Sequence, residues 1–302
     1  MFALAILALV VACHSVSAFN TYAPQVTRTS LSQLSMGGGR SPAEKGVSKG
    51  NMFKNMRNKF NTAAEIPGFF DVAGRVLPDI ELFCKSNKDG SQIGDCPFTQ
   101  FIQLVLLKKG VPYKVTPTLP ADKPEWLISK HEGKMPAIMV KGTTMTDSLA
   151  IAEYIEKSYP HTSLTRQGAY SYQEVLEKTA GFYPALSTLL RNKEVSQDAK
   201  LGAAVEAQLD LLDELVRTSP GQFLCGKEMT LADLYLAPQL YHAVVAMPHF
   251  KQTEVLHLDL PTRPALEGYM VRLFDMEEFC DKRAHYSADQ VLHGWRVQRG
   301  EA

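Results

Sequence analysis

Neither of the common metal-binding spacings occurs in this chain. It has eight histidines and five cysteines, yet no Cys-x-x-Cys and no His-Glu-x-x-His. No metal is therefore expected. A glycine-rich phosphate loop is missing too, because Gly37-Gly38-Gly39 follows no strand pattern. There is no excess charge of one sign, with 32 Lys+Arg against 32 Asp+Glu. Residues 1–60 hold seven of the bases and only Glu44 of the acids, leaving 25 bases against 31 acids in the remainder. That acidic body argues against nucleic acid as a partner. After residues 2–12 no apolar run approaches the length of a membrane helix, so the mature protein is expected to be soluble, with no membrane partner. Cys13, Cys84, Cys96, Cys225 and Cys280 are scattered rather than dense, which suits a reducing compartment better than a disulfide framework.

The apolar run at residues 2–12 has signal-peptide length, and Val16-Ser17-Ala18 supplies small residues for cleavage, although no positive charge precedes the run. A signal peptide over 1–18 is expected, followed by a basic, Ser/Thr/Gly/Asn-rich segment over 19–65 of transit-peptide composition. The pair resembles the two-part plastid leader of algae with secondary plastids. The alternative is a secreted protein with a basic arm.

The body has two regions. From Pro78 to Pro160 strand and helix alternate: Ile80–Cys84, Pro112–Thr116, Pro136–Val140 and Thr143–Thr146 read as strands. A helix follows from Ser148 to Lys157, with Leu149, Ile151, Ala152 and Ile155 on one face. After Pro160 helical patterns run from about Tyr170 to Arg191, Asp198 to Arg217, Leu231 to Ala246 and Pro264 to Phe274. Thr230 and Asp233 offer a variant capping box for the third of these. The expected fold is an α/β domain over 78–160 joined to an all-α domain over 165–296.

Cys96 stands between the first strand and the helical spacing of Phe98, Ile102, Leu106 and Leu107, with Pro97 suited to a first helical position. Amide donors and the helix dipole favour a thiolate there, so an acidic thiol is expected. The plain alternative is a small buried residue near a helix end. Thr99 occupies the place of a second cysteine; it can hydrogen-bond a thiolate but cannot attack sulfur, so a redox cycle needs an external thiol.

Cys96-Pro97-Phe98-Thr99 after a strand, Met135-Pro136 opening a later strand and Asp147-Ser148 opening a helix together resemble the glutathione transferase superfamily. The resemblance is closest to the branch holding glutathione-dependent dehydroascorbate reductases and chloride intracellular channel proteins. Leu236-Ala237-Pro238-Gln239-Leu240-Tyr241-His242, His249-Phe250-Lys251 and His293-Gly294-Trp295 extend it to the reductases. It implies a thioredoxin-like N-terminal domain with an all-α C-terminal domain, and reduction of dehydroascorbate by glutathione through the single nucleophile Cys96. It further implies glutathione held by Lys123, of Lys123-Pro124-Glu125-Trp126, by Met135 before a cis Pro136, and by Asp147 and Ser148. Lys85, Asp95, His242 and Trp295 would shape the site of the small substrate, and the protein would act as a monomer. Taken singly, each of these has a plainer reading: an ordinary strand-start proline, an N-cap, a solvated lysine, an interhelical histidine, a packed tail tryptophan. Thr99 replaces the family's usual serine and Phe101 its arginine, and the loop from Lys85 to Cys96 looks as much like that of the channel proteins. An omega-like thiol transferase, a membrane-inserting channel-like protein and a noncatalytic glutathione-binding adaptor stay open.

Overall fold

The computed structural model describes residues 69–70, 76–77, 79–166, 168–251 and 262–301. The expected leader segments, 1–18 and 19–65, lie outside the described residues. Phe69–Phe70 (β1) and Val76–Leu77 (β2) form a short antiparallel ladder in a separate unit, residues 19–77.

In the main body, Ile80–Lys85 (β3), Tyr113–Thr118 (β4), Ala137–Val140 (β5) and Thr143–Thr146 (β6) make one sheet in the order β4-β3-β5-β6. The strand pair β3 and β4 is parallel and therefore needs a crossover, supplied by the helix Pro97–Lys108 (α1). Both other pairings are antiparallel. Ile80, Leu82 and Cys84 are wholly buried, as are Phe101, Ile102, Leu104, Val105 and Leu106 of α1. Each large apolar side chain so buried contributes roughly 1.5–3 kcal/mol relative to exposure. Glu125–His131 (α2) precedes β5, and Ser148–Ser158 (α3) buries Ile151, Ala152 and Ile155, three of the four face residues expected.

The remainder is helical: Tyr172–Thr179 (α4), Phe182–Arg191 (α5), Val195–Thr218 (α6), Leu231–Phe250 (α7), Pro264–Phe274 (α8), Glu277–Cys280 (α9) and Ala288–Arg299 (α10). The single pattern expected over Tyr170 to Arg191 is two helices, divided at Ala180-Gly181, where glycine is a poor helix former and caps α5. The helix α10 carries no expectation from sequence beyond a tail motif. The helix α7 is buried almost all round from Leu231 to Met247, the mark of a core helix rather than an amphipathic one. Its first turn has the expected capping box: the Thr230 amide donates to the Asp233 carboxylate at 2.8 Å. Both α1 and α10 pack on α7, which joins the sheet layer to the helical region. Among the described residues no helix is long and apolar enough to cross a membrane, and no cluster of metal-ligating side chains occurs.

Candidate active site

The sheet register gathers the candidate residues at one end. Phe83 of β3 faces Ala137 of β5, and Ala137 faces Thr146 of β6. Pro136 directly precedes β5 and Asp147 directly follows β6, while Lys85, the last residue of β3, is still paired with Thr118 of β4. The chain then runs out through a loop and returns at Gly94, whose amide donates to the Lys85 carbonyl at 2.7 Å. A Cβ on Gly94 would lie 2.7 Å from the Ser86 carbonyl oxygen, so only glycine allows this return. Cys96 follows as the N-cap of α1, with extended backbone (φ −71°, ψ 115°) and Pro97 at the first helical position.

Cys96 is partly buried. The expected acidic thiol is not what this environment produces in the resting state. Burial is the largest influence and pushes the thiol up, the Asp95 carboxylate adds to that, and the amides of Thr99 and Phe98 with the Thr99 hydroxyl pull it down. The Thr99 hydroxyl is fully buried and, apart from its pull on the Cys96 sulfur, has no hydrogen-bond partner among the described residues. A buried donor without a strong acceptor is costly, so this one fits the acceptor that the sulfur becomes when it ionises. Cys84, also fully buried, is pushed up to about 12 by desolvation and stays protonated.

Asp95 is 4% exposed and accepts from Lys85 Nζ at 2.6 Å. Its carboxylate rests on Gly294 of α10: a Cβ there would lie 1.8 Å from Oδ2 and 2.5 Å from the Asp95 Cβ. That explains the glycine in His293-Gly294-Trp295. His242 and Trp295 are both fully buried, and Trp295 Nε1 donates to His242 Nδ1 at 3.2 Å. This leaves the proton of the neutral ring on Nε2, turned toward the Asp95 main chain without completing a hydrogen bond. Burial pulls the His242 ring down to about 4, so it is neutral near pH 7. His242, beside Asp95, and Trp295 present no surface to solvent, so any shaping of the small-substrate site by them is indirect.

On the other side, Lys123 Nζ donates to the Gly133 carbonyl at 2.8 Å, two residues before Met135. The Met135–Pro136 bond is cis, as the resemblance implies. Trp126 stacks edge-on against Phe83 at 5.1 Å and fastens this side to the sheet. Asp147 is exposed, with φ 73°, and its carboxylate accepts from the amides of Leu149 and Ala150 at 3.1 and 3.0 Å. It is thus an N-cap using two of the donors expected for an anion, and Ser148 is the first helical residue beside it.

Three residues enter the site that no sequence motif pointed to. Tyr183 packs edge-on against Phe98 at 5.0 Å, and burial, then the charges of Cys96 and Asp95, push its phenol up. Tyr235 packs against Phe98 and Phe101 at 5.9 and 5.2 Å and senses Asp147, linking the two sides. Gln290 of α10 donates to the Ile93 and Gly94 carbonyls. Tyr235 lies within the apolar run that opens α7, and a helical spacing alone does not separate it from core. Phe101, where the family has arginine, is wholly buried beneath Tyr235, a place in which a charge would be unpaired.

Residues 78–161 match the CLIC-like N-terminal domain and residues 194–272 the glutathione S-transferase C-terminal domain. The chain is 32% identical over 204 residues to glutathione S-transferase DHAR2 of Arabidopsis thaliana, covering 67% of this chain and 90% of that protein. It is 28% identical over 193 residues to human chloride intracellular channel protein 3, covering 58% of this chain and 80% of that one. The crystal structure of Chlamydomonas reinhardtii dehydroascorbate reductase superposes with a TM-score of 0.61 at 29% identity, covering 72% of this chain and 98% of that one.

Proposed function

We infer the function from the premise that the chain belongs to the dehydroascorbate reductase branch of the glutathione S-transferase superfamily, with a thioredoxin-like N-terminal domain and a helical C-terminal domain. We propose that it reduces dehydroascorbate to ascorbate with glutathione as reductant, through Cys96 alone. The carrying observation is one partly open thiol acted on by a buried, lysine-paired carboxylate and by a buried hydroxyl whose one neighbouring acceptor is that sulfur.

Lys85 donates to carbonyl and hydroxyl oxygens of the substrate, and Asp95, which has no proton to give, accepts from its hydroxyls. Asp95 raises the thiol, so its part is orientation rather than activation. Once the Cys96 thiol has given up its proton, the Thr99 hydroxyl and the Thr99 and Phe98 amides hold the thiolate. The thiolate gives two electrons to dehydroascorbate; with a water supplying the oxygen and the proton, ascorbate leaves and sulfur becomes a sulfenic acid. A first glutathione attacks that sulfur and releases water, forming a mixed disulfide. A second glutathione thiolate attacks the glutathione sulfur, releasing glutathione disulfide and restoring the Cys96 thiolate. Glutathione lies along Met135-Pro136, with Asp147 and Ser148 near its γ-glutamyl end and Lys123 near its glycine carboxylate. The buried, protonated Cys84 is a poor resolving thiol, which supports the need for an external one. His242 and Trp295 serve by holding Asp95 in place.

The test is ascorbate formation by the purified protein with glutathione and dehydroascorbate, wild type against Cys96→Ser. Turnover well above the uncatalysed background, abolished by the substitution, supports the reading. Turnover only of a glutathionylated disulfide substrate would make the protein an omega-like thiol transferase instead. The leader composition further supports delivery to a plastid, and a fluorescent fusion of residues 1–65 found in the secreted fraction would sink that reading.

A further inference from the structure

The helix α10 reaches the loop that leads into Cys96 through one side chain. Gln290 Nε2 donates to the Ile93 carbonyl at 2.6 Å and to the Gly94 carbonyl at 2.7 Å. An amide nitrogen has two N–H groups, so both bonds form together and both consecutive carbonyls are satisfied. Gln290 and Gly294 are four residues apart and lie on one face of α10. That face therefore grips the main chain just before Asp95 and receives the Asp95 carboxylate one turn later. From within its own domain the returning strand of the loop is tied to the end of β3 by the Gly94 to Lys85 bond and the isolated bridge between Ser86 and Ile93. The second grip comes from 197 residues away in sequence.

We propose that Gln290 is a positioning residue for the Cys96 thiol: its side-chain amide fixes the Ile93-Gly94 segment from which Asp95 and Cys96 project. The reaction it serves rests on the reading given above, whereas its hold on the thiol does not. Gln290 touches no reactant. Its loss lets the loop shift, and a displacement of about 1 Å at reacting atoms costs on the order of a hundredfold in rate.

The experiment compares wild type, Gln290→Ala and Gln290→Glu by two readouts: kcat and KM for dehydroascorbate, and the rate of Cys96 alkylation by iodoacetamide across pH. Gln290→Ala is expected to lose about ten- to a hundredfold in kcat with a smaller change in KM. Its alkylation profile is expected to shift along the pH axis, with an unchanged circular dichroism spectrum. The ionised carboxylate of Gln290→Glu has no proton for either carbonyl and repels both; the neutral acid has one. The alkylation rate of Gln290→Glu divided by that of Gln290→Ala is therefore expected to rise between about pH 8 and about pH 5, as the introduced acid gains its proton and recovers one of the two bonds. If Gln290→Ala does not fold, Gln290→Met, of similar length and without a donor, takes its place. A flat ratio together with wild-type alkylation profiles overturns the proposal, even if dehydroascorbate is turned over normally. A rising ratio in a protein that does not reduce dehydroascorbate keeps the positioning role and removes the reductase reading.

Discussion

On the glutathione side of Cys96 the holding bonds are local. Lys123 reaches Gly133 ten residues on, and Asp147 caps the amides two and three residues ahead. On the substrate side Lys85 also reaches Asp95 ten residues on, but two further bonds span the chain: Gln290 to Ile93 across 197 residues, and Trp295 to His242 across 53. On the first side Gly133 and Pro136 are buried, but Lys123, Met135, Asp147 and Ser148 are exposed or half-buried, as suits the glutathione proposed to lie there. The second is largely sealed, with His242 and Trp295 fully buried, Asp95 nearly so, and Lys85 its partly exposed member. The difference separates binding from positioning: changes on the local side should act on glutathione affinity, and changes on the sealed side should act on rate and on folding.

The largest effect short of losing the nucleophile is expected from Gly294→Ala. Its Cβ would stand 1.8 Å from Asp95 Oδ2 and must expel the carboxylate that Lys85 pairs. We expect kcat/KM for dehydroascorbate to fall about a hundredfold, as for an ångström-scale misplacement, while glutathione KM changes little. Equal losses in both parameters would erase the distinction between the sides.

His242 sharpens the same contrast through pH. Its ring is pulled down to about 4 by burial, against 6.5 for an ordinary histidine. The unfolded chain then binds a proton between these values that the folded chain does not, so stability falls as pH drops from about 6.5 towards 4, by roughly 3 kcal/mol at most. A His242→Gln variant should show a shallower decline in unfolding free energy over that range in denaturant titrations. An unchanged slope would mean that His242 is not the group responsible.

Asp147→Ala should have the smallest effect. Loss of the N-cap costs about 1 kcal/mol of stability, and the freed amides of Leu149 and Ala150 alter glutathione binding. Glutathione KM should rise severalfold with kcat for dehydroascorbate nearly unchanged, measured under saturating dehydroascorbate. A collapse of kcat instead would place Asp147 with the sealed side.

The same division governs what could be read from the chain. Cys96 before Pro97, the proline opening β5 and Asp147 before α3 are short-range arrangements whose backbone chemistry is written in neighbouring residues. The four strands, α3, α7 and α8 followed from periodicity for the same reason. Gln290, Tyr183 and Tyr235 carried no signal, since their partners are remote in sequence and a polar or aromatic residue on a helix has many uses. His242 and Trp295 were legible as members of the site but not in their depth, because burial is decided by the packing of α7 against α10. The Cys96 thiol shows the limit most directly. The helix-terminus donors that favour a thiolate are local and visible, whereas the desolvation that outweighs them comes from the fold around it.

If Cys96 reduces the substrate before glutathione takes part, a single turnover is enough to show it. Fully reduced protein, freed of glutathione, is mixed with dehydroascorbate; ascorbate absorbance is followed and the protein is then trapped with dimedone for mass spectrometry. A burst of ascorbate proportional to enzyme and a dimedone adduct on Cys96 are expected. No ascorbate until glutathione is added, with Cys96 found only as a glutathione mixed disulfide or unmodified, would contradict that order of steps.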